Sequence, residues 1–575
     1  MYQPPLADMQ FVLERVADLP TVARLPGFDE VAHEMAPAVL AEAGRLASEV
    51  LAPLNAVGDR HGAVLENGVV RTAPGFREAY RRYAEGGWMG LVFPEEHGGQ
   101  NLPWLLNTAV AEMWNAANLT FQLCPLLTQA GIEALIHHCA DEQKALYLPR
   151  LVSGEWTGAM CLTEPQAGSD VGALRTRAEP DGQGRYRIRG QKIYITFGEH
   201  DLTPNIVHMV LARLPGAPEG TKGISLFLVP KFLVNDDGSL GPRNDLRCLK
   251  LEHKLGINGS PTCVVSYGDD EGGAVGYLVG EEHAGMRCMF TMMNNARLAV
   301  GHEGLGLAER AYQAALAYAR ERTQGRAAGR AARILDYPDV RRMLLTMRSQ
   351  IAAMRALCYV VGAEVDRSSR EPDTAARRLA ADRVALLTPV VKAWCTDVAQ
   401  EIARDAVQVH GGMGFVEETG VAQHYRDAKI LAIYEGTNGI QALDLAGRKL
   451  TIGGGELPWR LFEELRRDLD GVSADVAPGL SRALGALEAA TRHLQAADEA
   501  SRGAVAVPYL RLFGQTVGGF LLARGAAAAT AEEGHDWPGL ARFYVRHLLP
   551  PAVGLAEVVM AGGGDELDAG LLAAA

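Results

Sequence analysis

Apolar residues recur at about every third or fourth position in the early part of the chain. The runs are Phe11-Val12-Leu13, Val31 to Val50, Phe76 to Tyr83 and Trp104 to Asn118. A period near 3.6 predicts amphipathic helices. Pro and Gly clusters at Phe93-Pro94-Glu95-Glu96-His97-Gly98-Gly99 and at Gly154 punctuate them. Residues 1–157 therefore read as an N-terminal helical domain. The period changes after Gly158. Arg185 to Gly190 alternates polar and apolar side chains, and Lys192 to Thr196, Ile206 to Leu214, Gly223 to Pro230 and Thr262 to Tyr267 are short β-branched runs. Turns such as Asp181-Gly182-Gln183-Gly184 and Asp269-Asp270-Glu271-Gly272-Gly273 separate them, so 158–282 is expected to be an antiparallel sheet or barrel. Helical spacing returns at Gly285 in four segments, about 285–323, 338–367, 376–410 and 424–450. These predict a four-helix bundle over 283–450. The remainder, 451–575, is rich in Ala and Leu and reads as an extra helical domain with breaks at Gly471, Pro478, Gly503 and Gly534. The fold class is thus α+β and mainly α.

Composition narrows the functional classes. At 575 residues the chain exceeds one core and fits roughly three or four domains. Hydrophobic residues make up 48% and charged residues 22%, which suits a folded soluble protein. A net charge of -13 argues against nucleic acid as a partner and against a polybasic membrane tail. The eight cysteines are scattered without a CxxC and read as reduced thiols of a cytoplasmic protein. Met1 to Pro5 shows no basic-then-apolar signal pattern. Arg524 interrupts Val517 to Thr530, and no uninterrupted apolar run reaches the roughly 18–20 residues of a membrane span. His137-His138 point in different directions on a helix and show no acidic or Cys partner at ligand spacing, so no metal site is expected.

The candidate chemistry centres on Ala432-Ile433-Tyr434-Glu435-Gly436-Thr437-Asn438-Gly439-Ile440. One carboxylate, Glu435, sits between an apolar run and a Gly-Thr-Asn-Gly turn. Apolar surroundings disfavour its charged form and tune it to take a proton from carbon. A solvent-facing Glu at a helix end is the plainer alternative. Four other stretches stand out. Cys161 to Ala173 packs small, hydroxyl and turn-forming residues at the entry to the β-region, either an ordinary turn or a set of backbone groups for a flat polar ring edge. Gln408 to Phe415 carries three glycines in four residues, Gly411, Gly412 and Gly414, more than a helix cap needs and suited to a pyrophosphate. Met293 to Ala299 is a polar insert in an apolar helix. Arg320 to Arg326, continuing to Arg330 and Arg333, is either a solvated loop or a phosphate site.

In this order, with Glu435 last, these stretches resemble the acyl-CoA dehydrogenase family of flavoenzymes over about residues 30–450. CLTEPQAGSDVGA, QVHGGMGF, YRDAKI, IYEGTNGIQ and MGLVFPEEHGG carry the likeness. One departure is Gln423, where the family usually has Arg or Lys. The resemblance implies a helical domain, a β-domain and a four-helix bundle, with FAD between the last two and partly contacted by a second subunit. It implies that Leu162, Thr163, Ser169, Tyr194 and Thr196 lie along the flavin end of FAD. Arg322, Gln408, Gly411 and Gly412 would reach its adenosine diphosphate part, and Thr437 would also contact it. Ser169, Asn294, Arg297 and Gly436 would line the acyl-CoA path. Glu435 would be the catalytic base, removing the α-proton while hydride passes from the β-carbon to flavin N5. The alternative base position found in some relatives is Ala296 here, which cannot act.

The added region 457–575 resembles that of the long subgroup that includes 3-methylmercaptopropionyl-CoA dehydrogenases. That likeness implies 3-(methylthio)propanoyl-CoA as substrate, with straight-chain acyl-CoA use equally compatible. It also implies a homodimer, an electron-transfer flavoprotein as acceptor, and a place in fatty acid metabolism. Two other functions remain open on sequence alone. One is a flavin-containing DNA-binding stress protein, although 457–575 lacks its basic run. The other is an acyl-CoA oxidase, which differs in letting oxygen reach reduced flavin.

Overall fold

The computed structural model describes residues 2–28, 32–270, 272–327, 329–530, 536–563 and 567. Val31, Glu271, Gly534 and most of the last twelve residues, which figure in the expectations above, lie outside them. The chain divides into two compact units. One comprises Arg45–Leu102 and Ala117–Ala296, and the other Met1–Gly44, Pro103–Ala116 and Arg297–Ala575.

The first unit holds the sheet. A small hairpin, β1 (Val64–Glu66) and β2 (Val69–Arg71), precedes it. Its main strands are β3 (Thr157–Cys161), β4 (Arg177–Pro180), β5 (Tyr186–Thr196), β6 (Ile206–Arg213) and β7 (Ile224–Pro230). A side hairpin, β8 (Phe232–Val234) and β9 (Leu240–Arg243), leads to β10 (Leu246–Leu251), β11 (Thr262–Tyr267) and β12 (Ala274–Val279). The main sheet runs β10-β11-β5-β12-β7-β6-β3, with β4 pairing β5 and β6. It is mainly antiparallel. The expectation of an all-antiparallel arrangement needs two changes, because β3 pairs parallel to β6 with Thr157 opposite Ile206, and β4 pairs parallel to β6 with Arg177 opposite Arg213. Every residue of β7 is buried, and so is all of β6 but its last, so neither strand shows the alternation of a sheet with one wet face. The two runs on either side of Gly190 form one strand. Gly190 has φ 152°, and a Cβ there would fall 2.4 Å from Thr176 Oγ1, so glycine lets β5 pass close to its neighbour.

Several helices also differ from the sequence reading. The run expected to end at Asn118 continues to His138, but Asn118 itself is non-helical (φ -158°, ψ 89°). Its Oδ1 accepts from Phe121 N–H at 3.1 Å and Thr120 Oγ1 at 2.9 Å, which restarts the helix. No uninterrupted apolar run was expected to reach span length, yet by overall length and mean composition Trp104–His138 and Glu499–Ala528 are long and apolar enough to cross a bilayer. Their apolar windows are 89% and 83% buried within the protein, as in core helices. His137 does have an acidic partner, Glu133 Oε1 at 3.1 Å one turn back, which the sequence reading overlooked. His138 Nε2 instead meets Thr291 Oγ1 at 2.8 Å.

The second unit is helical. Gly285–Glu321, which enters it at Arg297, is followed by Pro338–Arg370 and Thr374–His410. The expected fourth helix is instead two, Val421–Leu431 and Asn438–Ala446, with the Glu435 turn between them. The arginine-rich stretch forms a hairpin, β13 (Thr323–Ala327) and β14 (Arg330–Arg333), where no strand was foreseen. Arg355 is wholly buried among three helices. It donates to Glu112 through Nε at 3.0 Å and Nη2 at 2.5 Å, and to Glu309 Oε2 at 2.8 Å, while Tyr359 OH donates to Glu112 Oε2 at 2.8 Å. Removing the guanidinium would strand two buried carboxylates.

The last helices are Leu457–Asp468, Ala477–Ala496, Glu499–Ala528, Trp537–His547 and Leu549–Ala561. Pro478 starts a helix, as a first-turn proline can, while Gly503 lies inside Glu499–Ala528 and breaks nothing. That long helix packs on Pro338–Arg370, Thr374–His410 and Asn438–Ala446. Its glycines set the approach. A Cβ at Gly514 would fall 2.4 Å from Trp394 Cγ, and one at Gly518 2.6 Å from Trp394 Cη2. Trp394 Nε1 also donates to Gln515 Oε1 at 3.1 Å.

Three substitutions test this packing. Arg355→Met should cost about 3–5 kcal/mol in urea unfolding, since an unpaired buried charge costs that much. Gly518→Ala should destabilise by about 1–3 kcal/mol through overpacking on Trp394. Gly503→Ala, where the nearest atom would be Leu443 Cδ2 at 3.6 Å, should raise the thermal midpoint instead.

Candidate active site

The apolar run before Glu435 is the end of the Val421–Leu431 helix. Ile433 and Tyr434 N–H groups still donate to Ile430 O, at 2.8 and 3.1 Å. The chain then turns left-handed, with φ 56° at Glu435 and 82° at Gly436. A non-glycine residue in that region carries local strain, which persists only where surrounding contacts impose it. Here they are explicit. Arg297 Nε and Gln441 Nε2 donate to the Glu435 carbonyl at 3.3 and 3.2 Å. Lys392 Nζ donates to the Gly436 carbonyl at 2.9 Å and to Asn438 Oδ1 at 2.7 Å. Asn438 Nδ2 donates to Asp397 Oδ1 at 2.7 Å and Thr396 Oγ1 at 2.9 Å, which ties the turn to the Thr374–His410 helix. The Thr437 hydroxyl accepts from Ile440 N–H at 3.2 Å and caps the next helix.

The Glu435 carboxylate itself has no hydrogen-bond partner among the described residues, and neither does its N–H. The residue is half-buried. Burial pushes its pKa up, while the charges of Arg297 and Lys392 pull it down. Burial in turn lowers Lys392 to about 8, against the attraction of Glu435 and Asp397. The turn thus presents an unpaired carboxylate of raised basicity beside an unpaired backbone donor. That pair can take a proton from carbon and stabilise negative charge on a neighbouring oxygen.

The remaining candidates of this unit are surface groups. Arg322, Gln408, Gly411 and Gly412 are exposed, and a Cβ at either glycine would meet nothing within 4 Å. Arg297, expected to line the acyl-CoA path, is buried with its guanidinium on the Glu435 carbonyl.

In the other unit, Leu162, Thr163, Tyr194 and Thr196 come together. Ile193 N–H donates to Thr163 O at 2.9 Å, and buried Lys192 Nζ donates to Leu162 O at 2.9 Å and Glu164 Oε1 at 2.8 Å. Burial alone would raise Glu164. Lys192, with hydrogen bonds from Thr176 and Arg175, reverses this and holds it at about 2. Opposite β11 the register slips, Cys263 facing Ile195 but Val265 facing Lys192. This bulge turns Tyr194 outward, at φ 58° and 63% exposed. Such an aromatic platform fits a flat ring system. Ser169 and Asn294 are exposed.

Sequence reasoning missed Lys392, Gln441 and Glu303. Tyr434 OH donates to Glu303 Oε2. The available signal was a charged residue inside an apolar run, Val390-Val391-Lys392-Ala393-Trp394 and Gly301-His302-Glu303-Gly304-Leu305. Gln441 carried no such signal.

Family models for the acyl-CoA dehydrogenase N-terminal, middle and C-terminal domains match residues 36–155, 159–269 and 283–450. A model described as acetyl-CoA dehydrogenase C-terminal like matches 461–569. The chain belongs to the acyl-CoA dehydrogenase family, whose members are FAD-dependent oxidoreductases. Among its relatives, the 3-methylmercaptopropionyl-CoA dehydrogenase of Ruegeria pomeroyi is 47% identical over 92% of this chain and 92% of its own. The broad-specificity linear acyl-CoA dehydrogenase FadE5 of Mycobacterium tuberculosis is 32% identical over 97% of each chain. An acyl-CoA dehydrogenase of Bacillus anthracis, solved in complex with FAD, shares the fold with a TM-score of 0.73 at 22% identity, covering 97% of this chain and 91% of that one.

Lys392→Met should move the acid limb of turnover to higher pH. The lost cation favoured the carboxylate, so Glu435 would protonate at higher pH and lose its basicity sooner on acidification. A pH profile of turnover on the FAD-loaded protein checks this.

Proposed function

We propose that the chain dehydrogenates an acyl-CoA thioester between its α- and β-carbons, with Glu435 as the base. The observation that carries this reading is the unpaired Glu435 carboxylate on a left-handed turn, its basicity raised by burial. The carboxylate takes the α-proton. The Glu435 N–H, free of other acceptors among the described residues, donates to the thioester oxygen where negative charge develops. Arg297 and Lys392 keep the base ionised before the transfer. FAD, when bound, supplies the acceptor for the hydride that leaves the β-carbon. Leu162, Thr163, Ser169, Tyr194 and Thr196 would hold its flavin end. Arg322, Gln408, Gly411, Gly412 and Thr437 would hold the rest. Ser169, Asn294 and Gly436 would guide the thioester.

The substrate we favour is 3-(methylthio)propanoyl-CoA, supported by the 47% identity to the Ruegeria pomeroyi enzyme of that name. A broad straight-chain substrate range is the second reading, supported by full-length likeness to the broad-specificity mycobacterial enzyme. Electrons would leave to an electron-transfer flavoprotein, and the protein would act as a cytoplasmic homodimer.

Glu435→Gln should retain FAD and bind acyl-CoA but lose turnover by on the order of 1,000-fold or more, since the amide cannot accept the proton. Near-normal rates would place the base elsewhere. A panel of thioesters with a dye acceptor should give the highest kcat/KM for the methylthio substrate. Equal values for butyryl- to octanoyl-CoA would favour the broad reading.

A further inference from the structure

Farther along the helix that carries Arg297, Glu303 is wholly buried. One carboxyl oxygen, Oε2, accepts from Tyr434 OH. The other, Oε1, is buried with no hydrogen-bond partner among the described residues. An unsatisfied buried carboxyl oxygen is costly, and its removal would ordinarily favour folding. The groups facing Glu303 are Tyr434 and Glu435 on the turn and Lys392 on the Thr374–His410 helix. Burial pushes Glu303 up to about 8, so it holds a proton near neutrality. It is therefore no competitor to Glu435 as a base there, and proton abstraction by Glu435 has no use for it.

Its contact sits where the turn begins. Arg297, Gln441 and Lys392 hold the carbonyls of Glu435 and Gly436. The residue before them, Tyr434, is held by its hydroxyl on Glu303. Three helices thus grip consecutive residues of a strained segment. We infer that Glu303 is a positioning residue for the dehydrogenation: through the Tyr434 hydroxyl it holds the left-handed turn that aims the Glu435 carboxylate. This role rests on Glu435 being the base.

The test uses FAD-loaded protein, an acyl-CoA thioester and a dye acceptor. Glu303→Ala should lower kcat on the order of 10- to 100-fold, the cost of a small misplacement, and leave KM and flavin content within about threefold. Glu303→Gln, whose amide oxygen can still accept from Tyr434, should stay within about threefold of the parent kcat. Tyr434→Phe, which removes one oxygen atom, should match Glu303→Ala. The double variant should be no slower than either single, because the two side chains act as one unit. A Glu303→Ala enzyme with parent kcat overturns the inference. So does a loss carried by KM, or a Gln variant as impaired as the Ala variant. If Glu303→Ala does not fold, Tyr434→Phe decides, and parent kcat there overturns the inference. Glu435→Gln run alongside separates the two ideas. Activity in that variant defeats the base assignment, whereas inactivity there with an active Glu303→Ala defeats the positioning role alone.

Discussion

Two consecutive residues, Glu435 and Gly436, are wound left-handed, and their carbonyls are held by buried cations and an amide. A backbone that prefers other angles keeps this shape only while those donors remain. The same cations that fix the backbone also set the charge of the side chain on it. Arg297 and Lys392 oppose the effect of burial on Glu435 without bonding its carboxylate. Position and basicity are therefore governed by one set of contacts. A cation bonded directly to the carboxylate would have lowered its basicity further and blocked its approach to carbon.

Each unit relies on a buried ion cluster of similar logic. In the sheet unit, Lys192 and Glu164 join the Cys161–Ala173 stretch to β5, so that Thr163 and Tyr194 come from one stiff assembly. In the helical unit, Arg355 joins Glu112, Glu309 and Tyr359 across three helices. Buried pairs of this kind add little net stability over apolar packing, but a mispacked alternative would leave their charges unpaired.

The added helices are joined to the bundle by shape. Gly514 and Gly518 let Glu499–Ala528 lie directly on Trp394, and Gly525 does the same for Trp537. Ala and Leu supply the apolar area, while the glycines decide the distance of approach. This explains why glycines in that helix do not interrupt it. Gly503 tolerates its helical place, and Gly514 and Gly518 are required in theirs.

Much of this was legible in the residues themselves. Hydrophobic period separated helical from strand regions, because an element buried on one face must repeat its apolar positions at its own pitch. Glu435 stood out because an acidic residue between an apolar run and a Gly-rich turn is chemically conspicuous, and the neighbouring motifs marked the family. What one-dimensional spacing could not carry was anything set by contacts distant along the chain. The bulge that turns Tyr194 outward depends on its pairing with β11. The split of the last bundle helix depends on Lys392 and Arg297 capturing its carbonyls. The partner of Glu303 lies 131 positions away. Local composition determined which elements form and where the chemistry resides. Only the tertiary structure decided the angle at which that chemistry is held, because such angles are enforced by side chains that sequence proximity does not bring together.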